Sequence, residues 1–285
     1  MQSLASIVVG LDFSECSRVA LGHARRVASW AGAEVHPVHV VDAPVDEMCE
    51  AATLTVMQRG IREGLVEDAR RRWDAFIEGT PGASDLRLDA CVAHRLVGIR
   101  QYLDHHKADL LVLGAFGEER PNVGVGTLAS SCIRGVPTDV LIVRDTYRKP
   151  FRTVVVGIDF SATCQRALEA AALVANGDCA RLYAVYVEST KAEAYAWVHG
   201  DAPLNLQSFV KPTADRYPEL EVHAKVFPYL GHRSGVLEFA ALVNADLIAV
   251  GTRGRSNLRD VVLGSTAEKV VRDSVCAVWA AKPRL

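Results

Sequence analysis

Along the chain, short apolar runs alternate with longer segments in which apolar residues return every three or four positions. Ile7–Leu11 is a continuous apolar run, as expected of a strand buried on both faces, and Cys16–Trp30 has helical periodicity. Glu34–Val41 alternates as a strand, although Pro37 lacks the N–H that a ladder needs. A long helix is predicted over Met48–Gly79, with Arg62, Arg70, Arg71 and Arg72 on its polar side. Leu86–Val92 reads as a strand, Gly98–His106 as a helix, Ala108–Leu113 as a strand, Leu128–Gly135 as a helix and Asp139–Val143 as a strand. The second half runs through Thr153–Ile158, Cys164–Asn176, Arg181–Val187, Glu221–Phe227, Asp246–Val250, Thr266–Ser274 and Val275–Ala280. Between Glu188 and Glu219, Pro203, Pro212 and Pro218 are expected to interrupt the counterpart of the long helix. Strands alternating with helices predict an α/β fold, a mostly parallel sheet with helices on both faces.

The two halves share more than a pattern. Ile7-to-Leu21 reads IVVGLDFSECSRVAL and Val154-to-Leu168 reads VVVGIDFSATCQRAL, an offset of 147 residues with eight of fifteen positions identical. A period that long marks a duplicated domain rather than a solenoid unit. The expected domains are 1–146 and 147–285, joined near the basic, proline-containing segment Arg144–Arg152. Val140–Val143 and Val275–Ala280 are apolar edge segments, and exposed edges invite pairing. They are expected to pair with each other as a pseudo-dimer or with another chain.

Composition narrows the class. The 285 residues are 49% hydrophobic and 23% charged, as in a soluble globular protein. A formal charge of −2 gives no basic field for nucleic acid. Seven scattered cysteines without a CxxC pair suggest free thiols in a reducing compartment. No apolar stretch reaches the ~18 residues of a membrane span. The N-terminal run lacks a basic flank and reads as a strand, not a signal peptide. A cytoplasmic location is expected.

In an open parallel sheet, ligands lie beyond the carboxyl ends of the strands, near the switch in strand order. After the fourth strand of the second half comes Gly251-Thr-Arg-Gly254, then nine residues, then Gly264-Ser265-Thr266 opening a helix. Glycines let backbone N–H groups approach a phosphate, and a helix N-terminus adds donors and partial positive charge. Ser265 and Thr266 offer hydroxyls, and Arg253 or Arg255 offers charge. Two tight turns and a helix cap would give the same letters. Asp159 follows the first strand on the same edge, suited either to hold a base or ribose or simply to cap a helix; Asp12 repeats it. Neither a Walker A nor a GxGxxG loop is present.

The combination VVGIDFS, ADLIAVGTRGRS and VLGSTAEKVV resembles the universal stress protein family in its tandem two-domain form. The resemblance covers essentially the whole chain, and G-x2-G-x9-G-[ST] is the mark of the ATP-binding branch. It implies two tandem open-sheet domains of the adenine nucleotide alpha hydrolase-like type, each five-stranded, with the last strand an edge used in dimer pairing. It also implies a bound adenine nucleotide, ATP or AMP, with Mg accompanying ATP. Asp159 and the backbone at Val187 would hold the adenine–ribose end, and Gly251, Arg253, Gly254, Gly264, Ser265 and Thr266 the phosphates. Asp12, Val40, Gly114, Gly117, Gly126 and Thr127 are the first-half counterparts. There the spacer is one residue short, Phe116 replaces Arg253, and Glu118-Glu119 would repel phosphate unless turned outward; Gly124 adds flexibility. An unequal pair of sites is expected, the second the better.

His36 and His39 lie three apart on a strand and so point to opposite faces; His105 and His106 diverge on a helix. Neither pair is expected to hold a metal. His232 and Arg233 sit in a Gly-His-Arg-Ser-Gly loop on the ligand edge. Trp73 and Phe76 are expected in the core or at a dimer contact. No serine, cysteine or paired-carboxylate set forms a catalytic constellation. The implied role is a stress-response regulator or sensor that offers a nucleotide-dependent surface to a protein partner. The alternatives are slow ATP hydrolysis or autophosphorylation at Ser265 or Thr266, a nucleotide-free scaffold, and a different, apolar ligand in the first half.

Overall fold

The central strands of the sheet are apolar on both sides because helices cover both sides. In β1 (Ser6–Gly10), Ile7 and Val9 join one core layer and Val8 the other; Leu110 and Val112 in β4 (Leu110–Gly114) divide from Leu111 and Leu113 in the same way. This is the burial that continuous apolar runs signal. The structure is a computed structural model that describes residues 4–42, 56–78, 80, 83–117, 125–144, 149–189, 201–254 and 263–283.

The first half continues with α1 (Glu15–Ala31), β2 (Glu34–Val41), α2 (Val56–Glu78), β3 (Asp89–Val92), α3 (Arg95–His105), α4 (Thr127–Gly135) and β5 (Asp139–Val143). The second contains β6 (Thr153–Ile158), α5 (Ala162–Asp178), β7 (Arg181–Ser189), α6 (Ala202–Arg216), β8 (Val222–Tyr229), α7 (His232–Leu242), β9 (Leu247–Gly251), α8 (Ser265–Asp273) and β10 (Ala277–Ala281). One face carries α1, α2, α5 and α6, with Trp73 and Phe76 buried in its core; the other carries α3, α4, α7 and α8. Pro37 is tolerated because Val38 O accepts from Leu11 N, which turns the nitrogen at 37 away from β1. On that other side, pairing with β3 begins only at Val38.

Two expectations need correction. Helix α6 runs through Pro212 rather than breaking there. Pro203 lies in its first turn, where an N–H has no helical partner, and Pro218 falls beyond its end. Leu206, Val210 and Thr213 are buried along one side and hold the helix on the sheet despite the lost bond. His232 and Arg233 are not in a loop: they open α7, whose Val236, Phe239 and Ala240 are buried at helical spacing. Gly231, Ser234 and Gly235 disguise this helix as a turn. A glycine at 235 is what closeness to β7 demands, since a Cβ there would lie 2.4 Å from a Val187 methyl. Residues 48–55 and 79 of the predicted long helix lie outside the described residues, as do Arg255, Gly124, Glu118-Glu119 and residues 145–148 of the linker.

The ten strands form one sheet in the order β3-β2-β1-β4-β5-β10-β9-β6-β7-β8. All pairs are parallel except the central one, where β10 runs antiparallel to β5 with Trp279 opposite Leu141. The two predicted edge segments therefore pair with each other, and the halves form a pseudo-dimer within one chain. Asp139 at this seam accepts from Arg166 Nη2 (2.9 Å), Lys282 N (2.8 Å) and Trp279 Nε1 (3.4 Å). Arg26 of α1 pairs with Asp178 of α5, and Arg134 of α4 with Glu268 of α8 at 3.0 Å. No described helix is long and apolar enough to cross a membrane.

Candidate functional site

In each half, strand order reverses between the first strand and the fourth, so the chain leaves these two neighbours in opposite directions. Those departures are the places the sequence singles out. In the second half, Ile158 stands opposite Tyr186, and Asp159 thus leaves β6 beside Val187 on β7. Gly251 ends β9 against the first turn of α5. Asp159 faces Gly254: a Cβ on that glycine would lie 2.9 Å from Asp159 Oδ2. Gly264 folds back over the same loop, its N–H donating to Thr252 O at 2.7 Å. The structure thus brings Asp159, Gly251, Arg253, Gly254 and Gly264 together at the sheet's carboxyl edge.

The Asp-Phe-Ser turn supports it. Asp159 Oδ1 accepts from Ser161 N (3.0 Å), Ser161 Oγ caps α5 by accepting from Cys164 N (3.1 Å), and the Ser161 hydroxyl reaches Arg253 O (3.3 Å). Asp159 N donates to Cys164 Sγ and that thiol donates to Gly157 O, both at 3.4 Å. Burial pushes the Cys164 thiol up to about 12, so it serves as a hydrogen-bonding strut rather than a nucleophile. Phe160 adopts the left-handed region at φ 62°, as Phe13 does at φ 65°.

The four helices bordering the two glycine loops differ at their N-termini. Ser14 and Ser161 close α1 and α5 with their own hydroxyls. Helices α4 and α8 begin at Gly126 and Gly264, and neither has a side-chain cap. Their cap residues, being glycines, offer no side chain to the first amides, and exposed Ser265 and Thr127 stand at those first turns. Val187 is buried, and its carbonyl accepts from His232 Nδ1 at 2.7 Å, which requires the proton on Nδ1. The sequence places His232 near the site; its bond to Val187 was not legible there, because the helix that carries it was not.

The first half builds the same anchors. A Cβ on Gly117 would lie 2.7 Å from Asp12 Oδ2, Gly114 abuts Cys16, and Gly126 N donates to Ala115 O at 2.7 Å. The register sets Asp12 beside Val40, since Gly10 pairs with Val38. Phe116 occupies the place of Arg253, but the Arg144 guanidinium lies 5.0 Å from the centre of its ring. The first-half loop therefore also has a cation beside it. His39 Nδ1 binds Leu11 O (2.7 Å) on one face of β2, while His36 on the other stacks on His106 at 4.0 Å.

Fold and site together define a class: a tandem α/β protein with glycine turns packed against an aspartate at the switch point of each half. The model of the universal stress protein family matches the chain twice, over residues 4–144 and 150–282. The chain belongs to the universal stress protein family. A universal stress protein of Methanocaldococcus jannaschii is 43% identical over 47 residues, a match spanning 16% of this chain and 28% of that protein. A universal stress protein structure from Archaeoglobus fulgidus aligns over 99% of both chains with a TM-score of 0.69 and 19% identity. One from Pseudomonas aeruginosa covers 99% of this chain and 94% of its own, with a TM-score of 0.65 and 15% identity. At these identities the structural likeness speaks for the fold.

Proposed function

We propose that this chain is a cytoplasmic stress-response regulator that binds an adenine nucleotide, ATP or AMP, chiefly in its second half. The observation that carries this reading is the uncapped N-terminus of α8, folded by Gly264 onto the Gly251–Gly254 loop opposite Asp159. Backbone amides and the helix dipole suit the phosphates, Arg253 adds charge, and Ser265 and Thr266 add hydroxyls. Asp159 and the strand end at Val187 suit the ribose and base. Mg accompanies ATP on its phosphates. Occupancy alters the surface at this edge of the sheet, which a protein partner reads.

Isothermal calorimetry with ATP and AMP tests the proposal. One strong site per chain is expected. Gly254→Ala, which sets a methyl against Asp159, is expected to weaken it at least ~10-fold, as is Gly264→Pro, which removes an N–H bond. Absence of heat at millimolar nucleotide, or unchanged binding in both variants, rejects it.

A further inference from the structure

The two uncapped helices are closed at their other ends by residues of the opposite half. In α4 the Ile133 carbonyl has no helical donor, because the residue four positions on is Pro137. Its donor is Lys282 Nζ, from the chain just past β10. Lys282 is 5% exposed, and its backbone is fixed on both sides: N–H to Asp139 Oδ1 at 2.8 Å, carbonyl to Arg166 Nε at 2.7 Å. A cation at the C-terminal end of a helix is favourably placed. The other half mirrors this, for Arg144, just past β5, donates from Nη2 to Ser274 O at the end of α8.

Each cation also adjoins the glycine loop of its own half, Lys282 through the preceding Ala281, whose carbonyl Thr252 of that loop binds. Arg144 stands over Phe116, and Lys282 feels the charge of Arg253, the residue in the same loop position. The loops are tied to the same strand ends: Thr252 donates N–H and Oγ1–H to Ala281 O at 2.8 and 3.0 Å, and Ala115 N donates to Val143 O at 2.8 Å.

We propose that Lys282 and Arg144 are crosswise positioning residues, each coupling occupancy of the loop in its own half to the seating of the glycine-capped helix in the other. The two sites then do not fill independently. The coupling rests on the nucleotide reading above, whereas the crosswise closure of the helices does not. An anion at Arg253 offsets the positive charge that opposes Lys282 and so favours the charged, α4-bound form. The charged and titratable groups around Lys282 are Asp139, Arg253, Arg166 and Cys132. Burial lowers Lys282 to about 8, against the pull of Asp139. The coupling is therefore strongest in mildly alkaline solution and fades at pH ~6.5, where the ammonium is already formed.

Hydrogen exchange on the full chain tests this in two arms. Without nucleotide, Lys282→Met is expected to speed exchange in α4 several-fold and leave α8 unchanged. Arg144→Met should do the reverse, and Lys282→Arg should restore α4. With saturating ATP at pH ~8.5, α4 is expected to slow several-fold in the natural chain but not in Lys282→Met. Should Lys282→Met fail to fold, Thr252→Val, which cuts the loop from Ala281, is expected to diminish the same ATP effect. Acceleration confined to the variant's own half, or equal in both helices, overturns the closure. An ATP effect on α4 that survives Lys282→Met overturns the coupling. If calorimetry finds no ATP binding, the nucleotide reading and the coupling fall together, and the nucleotide-free arm still decides the closure.

Discussion

Two phenylalanines hold a backbone conformation that side chains resist. Phe13 and Phe160 lie at φ 65° and 62°, a region costing a residue with a Cβ about 1–2 kcal/mol. What the twist achieves is visible on either side of Phe160. It turns Asp159 back to accept from Ser161 N and leaves Ser161 as the cap of α5, so the carboxylate ends up facing Gly254. The strain is offset by the ring, which tilts against Tyr186 (5.1 Å between centroids) and stands edge-on to Phe209 (5.4 Å). Phe13 does the same with His39 and Phe76. This account inverts a usual ranking. Phe160→Ala loses the ring and keeps the strain, whereas Phe160→Gly loses the ring and releases it. The glycine variant is expected to be the more stable by about 1 kcal/mol, although glycine normally costs more in chain entropy. Urea denaturation of the pair decides: an alanine variant equal to or more stable than the glycine variant removes the strain argument.

At the scale of elements, the strands and most helices were legible because each answers to one simple demand. Strands buried on both faces need unbroken apolar runs, and Ile7–Leu11 and Thr153–Ile158 supply them within a residue of β1 and β6. The glycine turns were legible for a similar reason, since Gly251 and Gly264 sit where backbones meet and Gly254 where a carboxylate does. Helix α7 was hidden because its first turn borrows turn residues, and α6 because three prolines outweigh one buried stripe in a local reading. The closures by Lys282 and Arg144 had no local signature at all, as each depends on a helix more than 120 residues away. The opposite faces assigned to His36 and His39 do hold, and they carry a pH prediction. Burial lowers both imidazoles below their ordinary value; for His36, the neighbours His106 and His105 lower it further while Glu34 and Asp89 raise it. For His39, the bond to Leu11 O and Asp12 raise it, and Arg72 and Arg95 lower it. The unfolded chain takes up these protons near pH ~6.5 and the folded chain resists, so stability is complete above that pH and declines as it falls. His36→Asn is expected to flatten the stability profile between pH ~7 and ~5. An unchanged slope in thermal melts across that range would show that His36 is not among the groups responsible.

For the whole molecule, the decisive element is the antiparallel pairing of β5 with β10, which turns two domains into one sheet and uses up the edge each half would otherwise expose. The outer edges differ: β3 pairs over only four residues, and β8 carries Lys225 and Pro228, devices that discourage further strand addition. Among the described residues the sheet therefore ends on one short edge and one carrying a lysine and a proline. One buried carboxylate gathers several groups at the seam. Asp139 receives a guanidinium, an indole N–H and a backbone N–H, and Trp279 beside it is fully buried. Removing the acceptor leaves the buried Trp279 indole N–H and the Lys282 backbone N–H unpaired and takes away the partner charge of Arg166, which is part-exposed and keeps its bond to Lys282 O. Asp139→Ala is therefore expected to cost about 2–4 kcal/mol, from two buried N–H groups left unpaired and a part-buried ion pair broken, against ~1 kcal/mol or less for an exposed bridge. It should also separate what the seam joins. The natural chain is expected to unfold in one transition followed alike by tryptophan fluorescence and circular dichroism, and Asp139→Ala in two. Arg134→Ala, which removes the exposed bridge to Glu268 across the same boundary, is the control. If the two variants cost the same and both melt in a single step, the halves are held by their helices rather than by the strand seam, and Asp139 is not the residue that makes them one molecule.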